Sequence, residues 1–361
     1  MPKKNVYFFH DKPFFGLDIG NGSLKVMQVG EKATNNEYGS SHKLVGYGAT
    51  KFDPKAIDNG VVVAPEIIAK SMGELFKHGL IGDITTRRVA VTIPAYRTFT
   101  RNISLPRLGN EELDEAVRLE AEQYIPVPLE DLYIDYEIIN QTEDTTELFA
   151  VAVPRDIVDS YLELSQIMGL EAVLVETTIN ASSRLFAQDS QSDIPTVIID
   201  FGSLSADMSI FDKHVLVTGT VQGGGRSFTD SIQSKLGVSN EEAGLIKTRY
   251  GLGASKRQSE IMQALEPTLK QIIKEIHRMI RYYEERYGNE QTIKQVITLG
   301  GGANMPGLTD YLTSSLRLAV RRCEPWQYLD VGHLKPPEVA DKPMFATVAG
   351  LSVGNYRKLF D

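Results

Sequence analysis

The chain has 361 residues, enough for two core-bearing domains and a smaller third. A net charge of −9 with 42% hydrophobic and 24% charged residues is that of a soluble globular protein, and it argues against nucleic-acid binding through clustered lysine and arginine. The one cysteine, Cys323, excludes an internal disulfide and a thiolate zinc site, and makes a reducing, cytoplasmic location the simplest expectation.

Residues 1–15 open with Lys3 and Lys4 but have too short an apolar run for a secretory signal, and Asp11 and Lys12 interrupt it. No segment approaches the roughly 18 apolar residues of a membrane span. The first informative stretch, residues 14–30, reads FFGLDIGNGSLKVMQVG: an apolar strand ending on Asp18, a turn through Gly20, Asn21, Gly22 and Ser23, and a second strand containing Lys25. A buried strand follows at 88–96, closed by Pro94, and another at 100–106. Asn110 is placed to cap a helix whose first turn holds Glu111, Glu112 and Asp114. Leu113, Ala116, Val117, Ala121 and Tyr124 form its apolar face, and Pro126 and Pro128 stop it. Residues 131–139 and 147–154 alternate like two antiparallel strands, and a helix follows over 156–168. Strands and helices of this kind predict a small α+β insert, 95–168, set into the first domain.

After a polar linker, AQDSQSDIP, the opening motif returns: VIIDFGSLSADMSIF at 197–211. Asp18 pairs with Asp200 and Gly20 with Gly202, an offset of 182 residues, which suggests two similar domains facing each other. The run GTVQGGGRSFTDSIQSKLG follows, then a short helix at 240–250 and a loop over 251–260. A long helix over 266–287 carries an apolar stripe of Leu269, Ile272, Ile273, Ile276, Ile280, Tyr283 and Tyr287, with Gly288 as its C-cap. The strand in KQVITLGGGA ends on glycines before a helix beginning PGLTDYL, and the chain closes with the small-residue run PMFATVAGLSVG. The last eight residues, GNYRKLFD, are too few for an amphipathic membrane helix, so membrane contact is expected only through a partner.

Glycines in the two hairpins let the backbone approach an anion closely, and successive N–H groups in a tight turn form an anion-binding concavity. Asp18 and Asp200 would aim at one hydrated Mg²⁺, and Lys25 would bring a point charge to the phosphates. The glycines of TLGGGANMPG leave room for a flat base against bare backbone at a helix start. A dinucleotide fold is disfavoured because the first turn lacks G-x-G-x-x-G, and a Walker A loop because the chain contains no Gly-Lys pair. GLSVG at 350–354 matches a hydrolase nucleophile elbow, but no histidine follows it; its small residues fit close helix packing. None of the six histidines stands at metal-ligand spacing.

These three elements, in this order and spacing, resemble the phosphate 1, phosphate 2 and adenosine motifs of the actin–Hsp70–sugar kinase superfamily. The segment LPRLGNEELDEAVRLEAEQYIPVPLEDLYIDYEII narrows this: it is similar to the PilM family of type IV pilus assembly, relatives of the cell-division actin FtsA. The resemblance implies an α/β, actin-like two-lobed ATPase fold of duplicated ribonuclease H-like domains, with an FtsA-type 1C subdomain inserted in the first lobe. It assigns 1–94, 169–194 and 341–361 to lobe 1, 95–168 to the insert, and 195–340 to lobe 2, with a small 2B at about 240–288. It implies ATP and Mg²⁺ as cofactors. Asp18, Gly20, Asn21, Gly22, Ser23 and Lys25 match phosphate 1; Asp200, Gly202, Ser203 and Ser205 match phosphate 2, with Gly224 beyond it; Gly301, Gly302 and Ala303 match the adenosine loop. Glu176 takes the place of a water-ordering residue, and EEAGLIKTRYG nominates Glu242 and Lys247 for the ribose, although one acidic position of that segment is Gly244 here.

The function implied is that of a cytoplasmic ATP-binding adaptor, peripheral to the inner membrane through its partners. It would bind the N-terminal cytoplasmic tail of PilN and link the PilN–PilO complex to the pilus motor ATPases, with ATP hydrolysis slow at most. An FtsA-like filament-forming ATPase and a small-molecule kinase of the same superfamily stand as alternatives. No general base for the kinase is identifiable in the sequence.

Overall fold

The computed structural model describes residues 12–36, 39–187, 194–288 and 292–354. The readings made of residues 1–11, of 188–193 in the linker and of 355–361 lie outside them.

The chain opens with the expected hairpin. Phe15–Gly20 (β1) turns into Ser23–Asn36 (β2), with Gly22 at φ 111°, a value only glycine adopts without strain, and Gly39–Lys51 (β3) returns beside β2. A ribbon of Ile57–Asp58 (β4) and Val61–Val62 (β5) precedes helix Pro65–His78 (α1). Pro65 starts α1, where a missing N–H is harmless, and Ile68, Met72 and Leu75 bury one face. Ile81–Gly82 (β6) and Arg88–Ile93 (β7) follow. Next come Phe99–Pro106 (β8), Asn110–Tyr124 (α2), Leu132–Gln141 (β9), Thr145–Pro154 (β10), Arg155–Ile167 (α3), Glu171–Thr177 (β11) and Thr178–Phe186 (α4). The second half runs Thr196–Phe201 (β12), Ser205–Asp212 (β13), His214–Gln222 (β14), Gly225–Leu236 (α5), Asn240–Arg249 (α6) and Gln258–Tyr287 (α7). Gln295–Leu299 (β15), Leu308–Leu316 (α8), Ala319–Arg322 (β16), Leu329–Asp330 (β17) and Ala346–Val353 (α9) complete it.

The internal echo is topological as well as sequential. The first large sheet has the order β11-β7-β1-β2-β3-β17, with β6 also on β3, and the second has β14-β13-β12-β15-β16. Each is built from an antiparallel three-strand meander whose first strand pairs in parallel with a later strand, which in turn pairs in parallel with another. Strands β1, β7, β12 and β15 are almost entirely buried, as strands covered on both faces must be. Between the sheets, α4 and α9 share one apolar cluster: Ile179, Leu185, Val348 and Ala349 pack with Met27 and Tyr47 of the first sheet and with Ile198, Phe211 and Ile297 of the second.

The insert is a third sheet, β8-β10-β9, with α2 across one face through Leu113, Val117 and Ala121. Three details differ from the expectations. Gly109, not Asn110, is the N-cap of α2: the Glu112 side chain accepts a hydrogen bond from the Gly109 N–H at 3.1 Å, which fixes the start one residue earlier. Helix α7 starts at Gln258 and continues through Pro267, because buried Ile261 and Leu265 extend the stripe by two turns and outweigh one lost backbone bond. Helix α3, expected within the insert, packs on the first sheet instead: Ile157, Tyr161 and Leu164 join the cluster around Phe15, Leu17 and Val91. We propose that the insert ends at Pro154.

Rooted in the first lobe, the insert also bonds to the second. Thr100 pairs with Thr218, the Asn102 amide donates to the Leu216 carbonyl and the Tyr287 hydroxyl, and Glu137 pairs with His214 at 3.1 Å. Residues 99–154 contain thirteen Asp and Glu against three Arg and no Lys, so the rest of the chain is nearly neutral.

The nucleophile-elbow motif resolves as packing. A Cβ at Gly350 would lie 2.0 Å from the Ala181 carbonyl oxygen, so glycine is what lets α9 sit against α4. The Ser352 hydroxyl lies 2.9 Å from the Met27 carbonyl oxygen and 2.7 Å from that of Val348. Replacing Gly350 by Val is therefore expected to destabilise the fold by at least about 1–3 kcal/mol. Gly73→Ala, within α1 and with nothing near the added carbon, is expected to stabilise it by about 0.5–1 kcal/mol. Chemical denaturation of both variants measures the pair.

Candidate functional site

Both hairpins turn at the carboxyl ends of central strands, the end at which open α/β sheets place their ligands. They meet across a cleft of about 690 Å³. Asp18, Gly20, Asn21, Ser23 and Lys25 line it from the first hairpin, Asp200, Gly202, Ser203 and Ser205 from the second, and Gly301, Gly302 and Lys247 from beyond. The carboxylates of the two halves thus come to one place, and Asp18 is close enough to help raise the Asp200 pKa.

The hairpins are alike in geometry and opposite in charge. Across the first ladder Asp18 pairs with Lys25, seven residues on; across the second Asp200 pairs with Asp207, also seven on. Directly opposed residues put their side chains on one face, close together. In the first hairpin the result is a buried ion pair: Lys25 Nζ is 2.9 Å from Asp18 Oδ2, and the Thr92 hydroxyl donates to Oδ1 at 2.8 Å. In the second it is two carboxylates. Burial, then Asp207, then Asp18 push the Asp200 pKa up to about 7, against weaker lowering by Lys25 and a Thr347 hydrogen bond. Burial pushes Asp207 up to about 6, although the Thr220 and Ser205 hydroxyls donate to it at 2.7 and 3.0 Å. This rung of the second hairpin has no positive charge of its own.

The glycines are steric requirements. A Cβ at Gly300, which has φ 81°, would meet Asp200 Oδ1 at 2.2 Å, and one at Gly302 would meet the Phe201 Cβ at 2.8 Å. Gly224 does not line the cleft. It backs the second hairpin, where a Cβ would lie 2.3 Å from the Gly202 carbonyl oxygen. Gly22 forms the first turn, and Ala303 is buried behind Gly301 and Gly302. Lys247 donates to the Gly225 carbonyl at 2.6 Å and the Thr229 hydroxyl at 2.8 Å, tying α6 to the start of α5.

Two expected site residues are elsewhere. Glu242 is exposed on the first turn of α6, where its amide N–H is capped by Ser239 at 3.1 Å. Five residues on a helix turn through about 140°, so Glu242 and Lys247 cannot share a face. Glu176 is buried against Arg184 at 2.6 Å, outside the cleft lining, with Glu137 of the insert near it. Burial raises its pKa to about 7, and its Oε2 has no hydrogen-bond partner. Its strand register sets it beside Thr92, whose hydroxyl donates to Asp18. Conversely, Asp207, Thr92, Tyr96, Tyr161 and Thr347 belong to the cleft or its carboxylates and were not singled out from the sequence. The signal for Asp207 was available: it stands in the second hairpin where Lys25 stands in the first.

Among the described residues no group of three or more His, Cys, Asp or Glu forms a ready-made metal cage. One or two carboxylates facing bare backbone amides suit Mg²⁺, which keeps much of its water and shares its remaining contacts with phosphate oxygens.

This arrangement, two ribonuclease H-like sheets sharing α4 and α9 and facing hairpins across a cleft, defines an actin-like ATPase fold. The chain belongs to the family described as type IV pilus assembly protein PilM, whose profile matches residues 16–356. Its sequence is 24% identical over 339 residues to cell division protein FtsA of Enterococcus faecalis (strain ATCC 700802 / V583), spanning 82% of this chain and 75% of that one. Among solved structures it is similar to a PilM–PilN type IV pilus biogenesis complex, with TM-score 0.78, 23% identity, and coverage of 94% of this chain and 97% of that one. It shares the fold of MreB5 of Spiroplasma citri bound to AMPPNP, with TM-score 0.53, 14% identity and 97% coverage of both chains. Among the described residues no helix is long and apolar enough to cross a membrane.

The charge asymmetry has a measurable consequence. A carboxyl whose folded pKa exceeds its unfolded value makes the native state bind more protons over the interval between them, so stability falls as pH rises through it. For Asp200 that interval runs from its ordinary 3.8 to about 7. The metal-free protein is expected to lose stability between pH 4 and 7 at up to about 1 kcal/mol per pH unit from this residue. Asp200→Asn should flatten the dependence and raise the melting temperature at pH 8, as scanning calorimetry across that range reads. Asp18→Ala, which strands buried Lys25, should instead cost about 3–5 kcal/mol.

Proposed function

We propose that this chain is a nucleotide-dependent adaptor of type IV pilus assembly, which binds Mg-ATP between its lobes and the N-terminal cytoplasmic tail of a PilN-type membrane protein. The observation that carries the nucleotide reading is the meeting of the two glycine-bearing hairpins, with Asp18 and Asp200, in one cleft beside the glycine loop 300–302. Asp200, with Asp207 behind it and Asp18 opposite, would hold Mg²⁺ through water. The backbone of Gly20, Asn21, Gly202 and Ser203 would cradle the phosphates, and Gly301 and Gly302 would face the base. The bound cation would relieve the repulsion between Asp200 and Asp207. On this reading the work is assigned to protein contacts, with hydrolysis slow at most.

Family membership and the likeness to a PilM–PilN complex support a PilN tail as partner. Through it the protein would sit at the cytoplasmic face of the inner membrane and connect PilN and PilO to the motor ATPases. ATP can shift the arrangement of the lobes only by its differential affinity for their open and closed states. The insert, bonded to both lobes, is the element such a shift would move.

Calorimetric titration of a PilN tail peptide, with and without saturating Mg-ATP, is the test. The wild type is expected to bind ATP only with Mg²⁺ and to change its peptide affinity when ATP is present. Asp200→Asn is expected to weaken ATP binding by at least tenfold and remove that change. A wild type that ignores ATP, or a peptide affinity indifferent to it, would overturn the coupling.

A further inference from the structure

The cleft is lined by more than the two hairpins and the glycine loop, and the residues at its first-lobe end form a recess beside Asp18. Ile57, Pro94, Tyr96, Tyr161 and Thr178 line it, next to Asp18 and Asp207. Tyr161 is 1% exposed, and its hydroxyl makes no hydrogen bond with any described residue. The ring is almost wholly enclosed, but the residue lines the cleft and its hydroxyl is free to donate to what enters it. Asp18, though close, does not serve as its partner: its two oxygens are engaged by Lys25 and Thr92. Burial, with Tyr96 and Asp18 adding to it, raises the Tyr161 pKa further from neutrality, so the phenol remains a hydrogen-bond donor. Tyr96 is half-buried beside it, close to Asp207, and likewise makes no hydrogen bond among the described residues.

The position of the two rings along the chain is as telling as their chemistry. Tyr96 lies in the turn Ala95–Arg97, by which the chain leaves β7 for the insert. Tyr161 lies on α3, the helix that begins where the last strand of the insert ends. Both attachments of the insert therefore present a phenol to the cleft. The turn carrying Tyr96 also touches β13, the strand of Asp207. A ligand that engaged both rings would fix the insert at its two roots, while β8 and β9 hold it to the second lobe.

The ligand group follows from the layout. The glycine loop 300–302 and Lys247 belong to the second lobe, whereas the recess is built by the first lobe beside Asp18. A nucleotide whose base lies on the loop and whose phosphates cross both hairpins ends in the recess. We propose that Tyr96 and Tyr161 are specificity residues for the terminal phosphate of a nucleoside triphosphate, to whose oxygens their hydroxyls donate, and that through them the insert registers the presence of that phosphate. This rests on the nucleotide reading given above.

The test compares Mg-ATP and Mg-ADP affinities by calorimetry for the full chain, for Tyr96→Phe and for Tyr161→Phe. Phenylalanine keeps each ring and removes a hydroxyl that has no partner among the described residues, so melting temperatures are expected to stay within a degree or two of wild type. Each change is expected to weaken ATP binding by about tenfold, as loss of a hydrogen bond to a charged group does, and to leave ADP binding within twofold. In the wild type, ATP should protect the amides of β8 and α3 from hydrogen exchange more than ADP does, and either variant should erase the difference. ATP affinity unchanged in both variants, or both nucleotides weakened in equal proportion, overturns the assignment. A wild type that binds ATP and ADP equally well also overturns it while leaving nucleotide binding intact. A wild type that binds neither defeats the nucleotide reading itself.

Discussion

At one rung of the first hairpin a carboxylate faces an ammonium; at the same rung of the second, two carboxylates face each other. Everything else in the cleft is arranged around that difference. The Asp18–Lys25 pair neutralises the first half from within, with Thr92 taking up the second oxygen, so this half is electrostatically complete. Asp200 and Asp207 are both buried, and burial outweighs the hydroxyls that donate to them and the weaker pull of Lys25 on Asp200, so both hold their protons to unusually high pH. A cation brought with an anionic ligand would supply what the second hairpin lacks, and the bare glycine backbone on either side would make room for the anion. On this reading the repeat provides matching shapes and the broken symmetry of charge the affinity.

Around this the two lobes are joined by more than the chain that links them. The apolar cluster shared by α4 and α9 runs continuously between the large sheets, and Gly350 lets those helices approach closely enough to form it. The insert adds a second, polar connection at a distance from the first. Its hydrogen bonds to β14 and α7 are individually modest, in the range of about 1 kcal/mol each. An apolar seam that holds together and a polar seam that can open are suited to a molecule whose lobes rock about a fixed axis.

Much of this was legible in the sequence because it depends on local pattern. The Asp-x-Gly hairpins, their repetition at half the chain length, the amphipathic stripe of α7 and the alternation of β9 and β10 all follow from the spacing of apolar and small residues. What escaped was what depends on direction. Asp207, seven residues after Asp200, is set apart by the ladder register that opposes the two, not by the turn between them. Glu176 and Glu242 were nominated by their place in a shared motif, and a motif does not carry what their carboxylates meet in the fold. Tyr161 reads as an ordinary stripe residue of α3, and only the fold shows that its ring ends at a cleft. The proposed limit of the insert rests on direction too: α3 continues directly from β10 but faces the first sheet.

The thirteen acids and three arginines of the insert, on a body that is otherwise close to neutral, make the protein a strong electrical dipole. Such a molecule tumbles into alignment as it nears a positively charged surface, and so collides insert-first more often than chance would allow. That bias fades once dissolved salt shortens the range of the field to about 10 Å or less. Encounter at one end and ligand capture in the enclosed cleft are thereby subject to different physics, and ionic strength can slow the former while leaving the latter largely untouched.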